Sequence, residues 1–76
     1  MTVTRQDLLD LFVNAGVDPD VVAALKPDLP LFKQGVDSVD YPAILLAIAD
    51  RFQISISEKD ACELKTLADF EKRLNA

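Results

Sequence analysis

The sequence predicts an all-α fold: a small bundle of four helices with one long connection between the first and the second. Two observations carry this. Three Ser or Thr residues are each followed three positions later by Asp, the spacing of a helix start signal: Thr4 with Asp7, Ser57 with Asp60, and Thr66 with Asp69. Three stripes of apolar residues also recur at helical period. Independent local signals that agree argue for a fold more strongly than any one of them.

The first helix starts at Thr4, which with Asp7 resembles a capping box carrying Asp in place of Glu or Gln. Leu8, Leu11, Phe12 and Ala15 form its stripe, and Gly16 stops it. From Gly16 to Asp37 the chain is punctuated by Pro19, Pro27, Pro30 and Gly35. Asp18 and Pro19 can cap and begin a short helical turn through Leu25. Lys26 to Pro30 cannot be regular helix, because each proline disfavours helix at the residue before it. A connection this long needs an anchor or a job. Val21, Val22, Leu25, Leu29, Leu31 and Phe32 are the expected anchors.

The central helix covers roughly Ser38 to Phe52. Its stripe is Tyr41, Ile44, Leu45, Ile48 and Phe52, with Val39 a candidate addition. It is the most apolar helix and is therefore expected at the centre. Ile54-Ser55-Ile56 alternates as a strand would, but three residues with no obvious partner strand favour an extended connector. Ser57 opens a short third helix through about Leu64. Thr66 opens the last helix, with Leu67, Phe70 and Leu74 in register.

The 76 residues leave room for a single domain, taken as 1–76. A chain this short buries a thin core and lacks the walls for a deep active site. Lys and Arg number 8 against 13 Asp and Glu, a net charge of −5. That balance argues against nucleic acid and against anionic membrane surfaces. It favours partners with basic docking patches. There is no histidine, so the usual general base at neutral pH is absent, and no Ser/His or Cys/His pair can be drawn. An enzyme is not expected. With one cysteine, Cys62, no intramolecular disulfide and no Cys/His zinc spacing are available. The N-terminus lacks an apolar signal core, and no apolar run approaches membrane-spanning length. A cytoplasmic protein is expected.

The stretch that carries function is Gly35-Val36-Asp37-Ser38-Val39-Asp40, at the end of the long loop and the start of the most apolar helix. A serine at a helix start holds its hydroxyl at the surface, among the free N–H groups of the first turn and the positive end of the helix dipole. A phosphodiester attached there is favoured on both counts. Gly35 permits a positive φ or close approach of a partner backbone. Asp37 and Asp40 set negative charge beside the serine, where a basic partner can read it. Taken alone, Asp-Ser before an apolar run is most often a plain N-cap.

The wider context resembles the acyl carrier protein family. That family's pattern is a glycine, a spacer, Asp-Ser-Leu-Asp, then a helix ending in Phe-Gly-Ile-Glu-Ile. Gly35-Val36-Asp37-Ser38-Val39-Asp40 resembles its first part and Phe52-Gln53-Ile54-Ser55-Ile56 its second, at the expected separation. Asp60 to Leu67, followed by Asp69-Phe70, resembles the family's short third helix and last helix. The resemblance covers essentially the whole chain, including the long first loop. It implies an acyl-carrier-like bundle in which a dedicated phosphopantetheinyl transferase joins 4′-phosphopantetheine covalently to Ser38. It implies that Asp37 is read by that transferase. The arm's thiol then carries acyl or aminoacyl groups as thioesters between an activating ligase and acyltransferases or condensing enzymes. Val39, Asp40, Tyr41 and Pro42 are the implied docking positions. A monomer is expected, since docking to several enzymes needs the central helix uncovered.

Three departures refine this. Fatty acid carriers have a glutamate-rich central helix, whereas here its acids are Asp40 and Asp50, with Tyr41, Pro42 and Ala43 where polar residues are usual. A dedicated pathway is therefore favoured over housekeeping fatty acid synthesis. Pro42 cannot donate the first intrahelical bond that a Ser38 cap requires. With Asp40 as cap it falls in the first turn, where it costs little. Regular helix is thus expected to begin near Asp40 or Tyr41, with Ser38 in a turn just before it. Finally, the Leu31-Phe32 pair before Gly35 is similar to free-standing aminoacyl and secondary-metabolism carriers.

Other residues have plainer readings. Cys62 is expected as a small core residue of the third helix, and Phe32 and Phe52 as core anchors. Tyr41 is expected to pack or snorkel at the helix start. Ile44 and Leu45 are core before they are a cargo groove. Lys65, Lys72 and Arg73 are solvated charges. Asp37 and Asp40 make a poor cation cage, so no bound metal is expected. Two alternatives stay open: a carrier restricted to amino acids and loaded by a stand-alone ligase, and a helical protein-interaction adaptor that never carries an arm. A carrier that has lost its modification would resemble the adaptor.

Overall fold

The computed structural model describes residues 2–75, and these form helices and no strands. Helix α1 spans Arg5–Asn14, α2 Pro19–Ala23, α3 Tyr41–Phe52, α4 Glu58–Ala61 and α5 Leu67–Leu74. A single 3₁₀ turn, Leu31–Gln34, interrupts the long loop. The all-α expectation holds, with the brief helical turn after Pro19 present as α2. The 3₁₀ turn was not expected. The third helix is shorter than expected, ending at Ala61 and not near Leu64.

Each start signal is used. Thr4 Oγ1 accepts from the Asp7 N–H at 3.1 Å, and Asp7 Oδ2 accepts from the Thr4 N–H at 3.0 Å. These hydrogen bonds from Thr4, with help from Arg51, hold the Asp7 carboxyl below the usual carboxylate range. Thr66 and Asp69 repeat the box at α5. Ser57 Oγ accepts from the Asp60 N–H at 3.1 Å at α4. The Asp side chain, though shorter, still reaches back to the cap N–H and so replaces the Glu of the usual box.

The stripes converge on one core. Leu8, Leu11 and Phe12 of α1, Ile44 and Ile48 of α3, and Leu67, Phe70 and Leu74 of α5 are all buried. Phe12 and Phe70 meet edge to face, 5.7 Å apart at 84°. Helix α1 packs on α2, α3 and α5, while α4 leans on α3. The ends of the chain are joined through Asn75, whose side chain accepts from the Val3 N–H at 2.7 Å and donates to the Val3 carbonyl at 2.9 Å.

The long loop is anchored by Val22, Leu31 and Val36, all buried. The Gln34 side chain accepts from the Lys26 N–H and donates to the Lys26 and Leu29 carbonyls. The Leu31 N–H reaches the Lys65 carbonyl at 2.8 Å, and the Ala68 N–H reaches the Pro27 carbonyl at 3.1 Å. The loop is thereby fastened to the connection between α4 and α5 and to the first turn of α5.

Two expected anchors point outward. Phe32 is 64% exposed and Leu29 also faces solvent. In a 3₁₀ turn successive side chains diverge by about 120°, so burying Leu31 swings Phe32 out. Leu29 lies between Pro27 and Pro30, where the backbone is committed to the Gln34 contacts. Helix α3 ends on Gln53 in the left-handed conformation, φ 58°. Such a φ favours glycine. Here the Gln53 amide holds it by donating to the Asp50 carbonyl at 2.8 Å.

Candidate functional site

Regular helix begins at Tyr41 with Asp40 as N-cap, as the position of Pro42 requires. The first intrahelical bond runs from the Ile44 N–H to the Asp40 carbonyl, 3.1 Å. Pro42 sits where a first-turn N–H has no partner to lose. Asp37 to Asp40 form a tight turn, closed by the Asp40 N–H on the Asp37 carbonyl at 3.1 Å. The two aspartates hold this turn from both sides. Asp37 Oδ1 accepts from the Val39 N–H at 3.0 Å, and Asp40 Oδ2 accepts from the Asp37 N–H at 3.2 Å. The carboxylates flanking Ser38 therefore shape the turn as well as charging it.

Ser38 sits at the exposed apex. Among the described residues none hydrogen-bonds to its hydroxyl, so it is not the cap of α3. The turn is set against the core by Val36, which is fully buried, and by Gly35 at φ +98°. A Cβ at Gly35 would lie 3.3 and 3.4 Å from the two methyls of Val21. Both conformation and space thus call for glycine. Gly35→Ala should lower stability by about 1–3 kcal/mol in urea unfolding. A change under about 0.5 kcal/mol would show that the loop accommodates a side chain there.

Two open grooves meet at Ser38. One, of about 350 Å³, runs past Phe32, Val36, Leu64 and Lys65. The other, of about 250 Å³, runs between α3 and α4 past Pro42, Leu45, Glu58 and Ala61. Ser38, Tyr41 and Cys62 line both. The Tyr41 ring packs edge to face on Phe70, 5.8 Å between centroids, and its hydroxyl donates to the Leu64 carbonyl at 2.5 Å. Burial, then the Asp69 carboxylate and then Cys62, push the phenol above its ordinary pKa.

The expected site residues Asp37, Ser38, Val39, Asp40, Tyr41 and Pro42 fall together at this corner. Val39 does not join the apolar stripe: it lies in the turn before the helix and is 79% exposed. Cys62 corrects the expectation of a core thiol. Helix α4 is a single turn in which Ala61 takes the buried position, and the next residue is carried round to the surface of the grooves. Lys65, expected as a solvated charge, is exposed but lines a groove with Ser38. Neither could be read from a four-residue helix and the connection after it, too short to show a period. Among the described residues there is no grouping of three or more His, Cys, Asp or Glu side chains placed to hold a metal. No helix among them is long and apolar enough to cross a membrane.

Comparisons with curated proteins and with solved structures give no match. A family model described as phosphopantetheine attachment site matches residues 6–74.

Proposed function

The chain belongs to the phosphopantetheine attachment site family, a family of carriers, and on that premise we propose that Ser38 bears the arm and that the protein shuttles acyl or aminoacyl groups between the enzymes of one pathway. The observation that carries this reading is an exposed serine hydroxyl, without a hydrogen-bond partner among the described residues, at the apex of the Asp37–Asp40 turn inside the matched residues. When bound, the arm supplies a thiol that holds cargo as a thioester.

The residues present fit such a group. Esterifying Ser38 breaks no hydrogen bond among the described residues. Among the described residues, the Ser38 and Ala43 N–H groups have no protein acceptor, and both lie at the positive end of α3. Lys65 adds a cation along the same groove. Asp37 and Asp40 bring opposing charge, offset in part by the backbone donors each engages. Asp37 is the feature a phosphopantetheinyl transferase would read, because the carboxylate also fixes the turn that presents the serine.

Val39, Asp40, Tyr41 and Pro42 form the docking rim, continued along α3 by exposed Ala43 and Leu46. This face is apolar with few acids. It suits a dedicated ligase and acceptor enzyme better than strongly basic fatty acid synthesis partners. A carrier restricted to amino acids or short acids is therefore the favoured subclass, acting as a monomer in the cytoplasm. Mass spectrometry of the protein isolated from its own cells, before and after neutral hydroxylamine, tests the role. The reading expects a Ser38-bound arm with an extra mass that hydroxylamine removes. A protein that never carries an arm would be the adaptor instead.

A further inference from the structure

We infer that Tyr41 bars cargo from the bundle interior, so that this carrier takes short acyl or aminoacyl groups, held at the surface, and not long alkyl chains. The inference rests on the carrier reading and names its substrate class.

Cargo on an arm at Ser38 has two ways to leave water: to lie in the open grooves, or to pass from their floor between Tyr41 and Leu64 toward the core. Tyr41 stands across the second. It lies one turn after Ser38 and lines both grooves. Its hydroxyl is tied to the Leu64 carbonyl, on the far side of the opening, and its ring rests on Phe70. Phe70 rests in turn on Phe12. Three aromatic rings thus run in contact from the site to the opposite helix. Behind them Ile44 and Ile48 are fully buried.

An alkyl chain entering here must swing the Tyr41 ring out. That leaves the Leu64 carbonyl without its donor in a partly buried place. It also exchanges one apolar filling for another, so the chain gains little from burial that the ring does not lose. A short acyl or aminoacyl group has little apolar surface to hide and needs no such exchange. Grooves of about 350 and 250 Å³, open to water, suit cargo of that size.

The test compares chain lengths. Wild type and Tyr41→Ala are loaded from acetyl- and octanoyl-coenzyme A with a broad-specificity transferase, and loading is verified by intact mass. Melting temperatures and nuclear Overhauser contacts from the cargo are then recorded. The two wild-type forms should melt within about 1 °C of each other, with no octanoyl contact to Ile44 or Phe70. In Tyr41→Ala, octanoyl should raise the melting temperature by about 4 °C or more over acetyl and show those contacts. Should Tyr41→Ala fail to fold, Tyr41→Phe takes its place. Freed from the Leu64 carbonyl, its ring should admit the octanoyl chain part of the time, seen as weak contacts to Ile44. A wild-type octanoyl form stabilised by about 4 °C, with core contacts, overturns the inference while leaving the carrier reading intact. Absence of any mass gain overturns both.

Discussion

Ser38→Ala is expected to abolish attachment of the phosphopantetheine arm while leaving stability within about 0.5 kcal/mol of wild type. The two halves of this result have separate causes. Attachment is lost because the substitution removes the hydroxyl oxygen that the proposal esterifies. Stability is kept because that oxygen makes no hydrogen bond among the described residues: Asp40, not Ser38, caps α3, and Asp37 and Asp40 hold the turn without it. A serine serving as an N-cap would cost about 1 kcal/mol on the same change. The experiment is a pair of measurements on one variant, intact mass after transferase treatment and urea unfolding. Loss of about 1 kcal/mol or more would mean that Ser38 has a structural duty which the turn geometry does not account for.

Phe70→Ala carries the largest expected effect on the fold itself, a loss of about 3–5 kcal/mol. Phe70 is fully buried between Phe12 and Tyr41, and its ring joins α5 to α1 and to the start of α3. A domain of this length has roughly 4–11 kcal/mol in total. The variant should therefore unfold at much lower urea, with part of the population unfolded in water at 37 °C. Circular dichroism during urea titration reads this directly. A loss under about 1.5 kcal/mol would contradict the aromatic contact from core to site. The same variant frees the Tyr41 ring from one of its two supports, so it disturbs the site through the core.

The helix starts were legible because capping is local. Thr4 with Asp7, Ser57 with Asp60 and Thr66 with Asp69 each close a contact across three residues, and all three form as expected. Pro42 was legible for a steric reason: a residue without an N–H admits few positions in a helix, and that alone placed Ser38 outside α3. What was missed is non-local or lacks a period. The sequence offers both Leu31 and Phe32 as anchors of the long loop, but the 3₁₀ turn sends the two apart. The general burial of cysteine points Cys62 into the core, and one turn of helix does not say which way it faces. The Tyr41 hydroxyl finds a carbonyl 23 residues away, and the Leu31 N–H finds one on Lys65. Such contacts depend on how the finished helices pack, and no local pattern announces them.

The chain has three serines: Ser38, Ser55 and Ser57. Ser57 caps α4 and Ser55 lies in the extended connector, so neither has the presentation of Ser38. Trypsin separates them, since cleavage after Lys33 and Arg51 yields a peptide from Gln34 to Arg51 in which Ser38 is the lone serine. The decisive measurement is tandem mass spectrometry of this digest after incubation with coenzyme A, magnesium and a broad-specificity phosphopantetheinyl transferase. The expected result is one phosphopantetheine, on the Gln34–Arg51 peptide and localised to Ser38. An arm on Ser55 or Ser57, or no arm with several such transferases, would contradict the assignment of Ser38 as the attachment point.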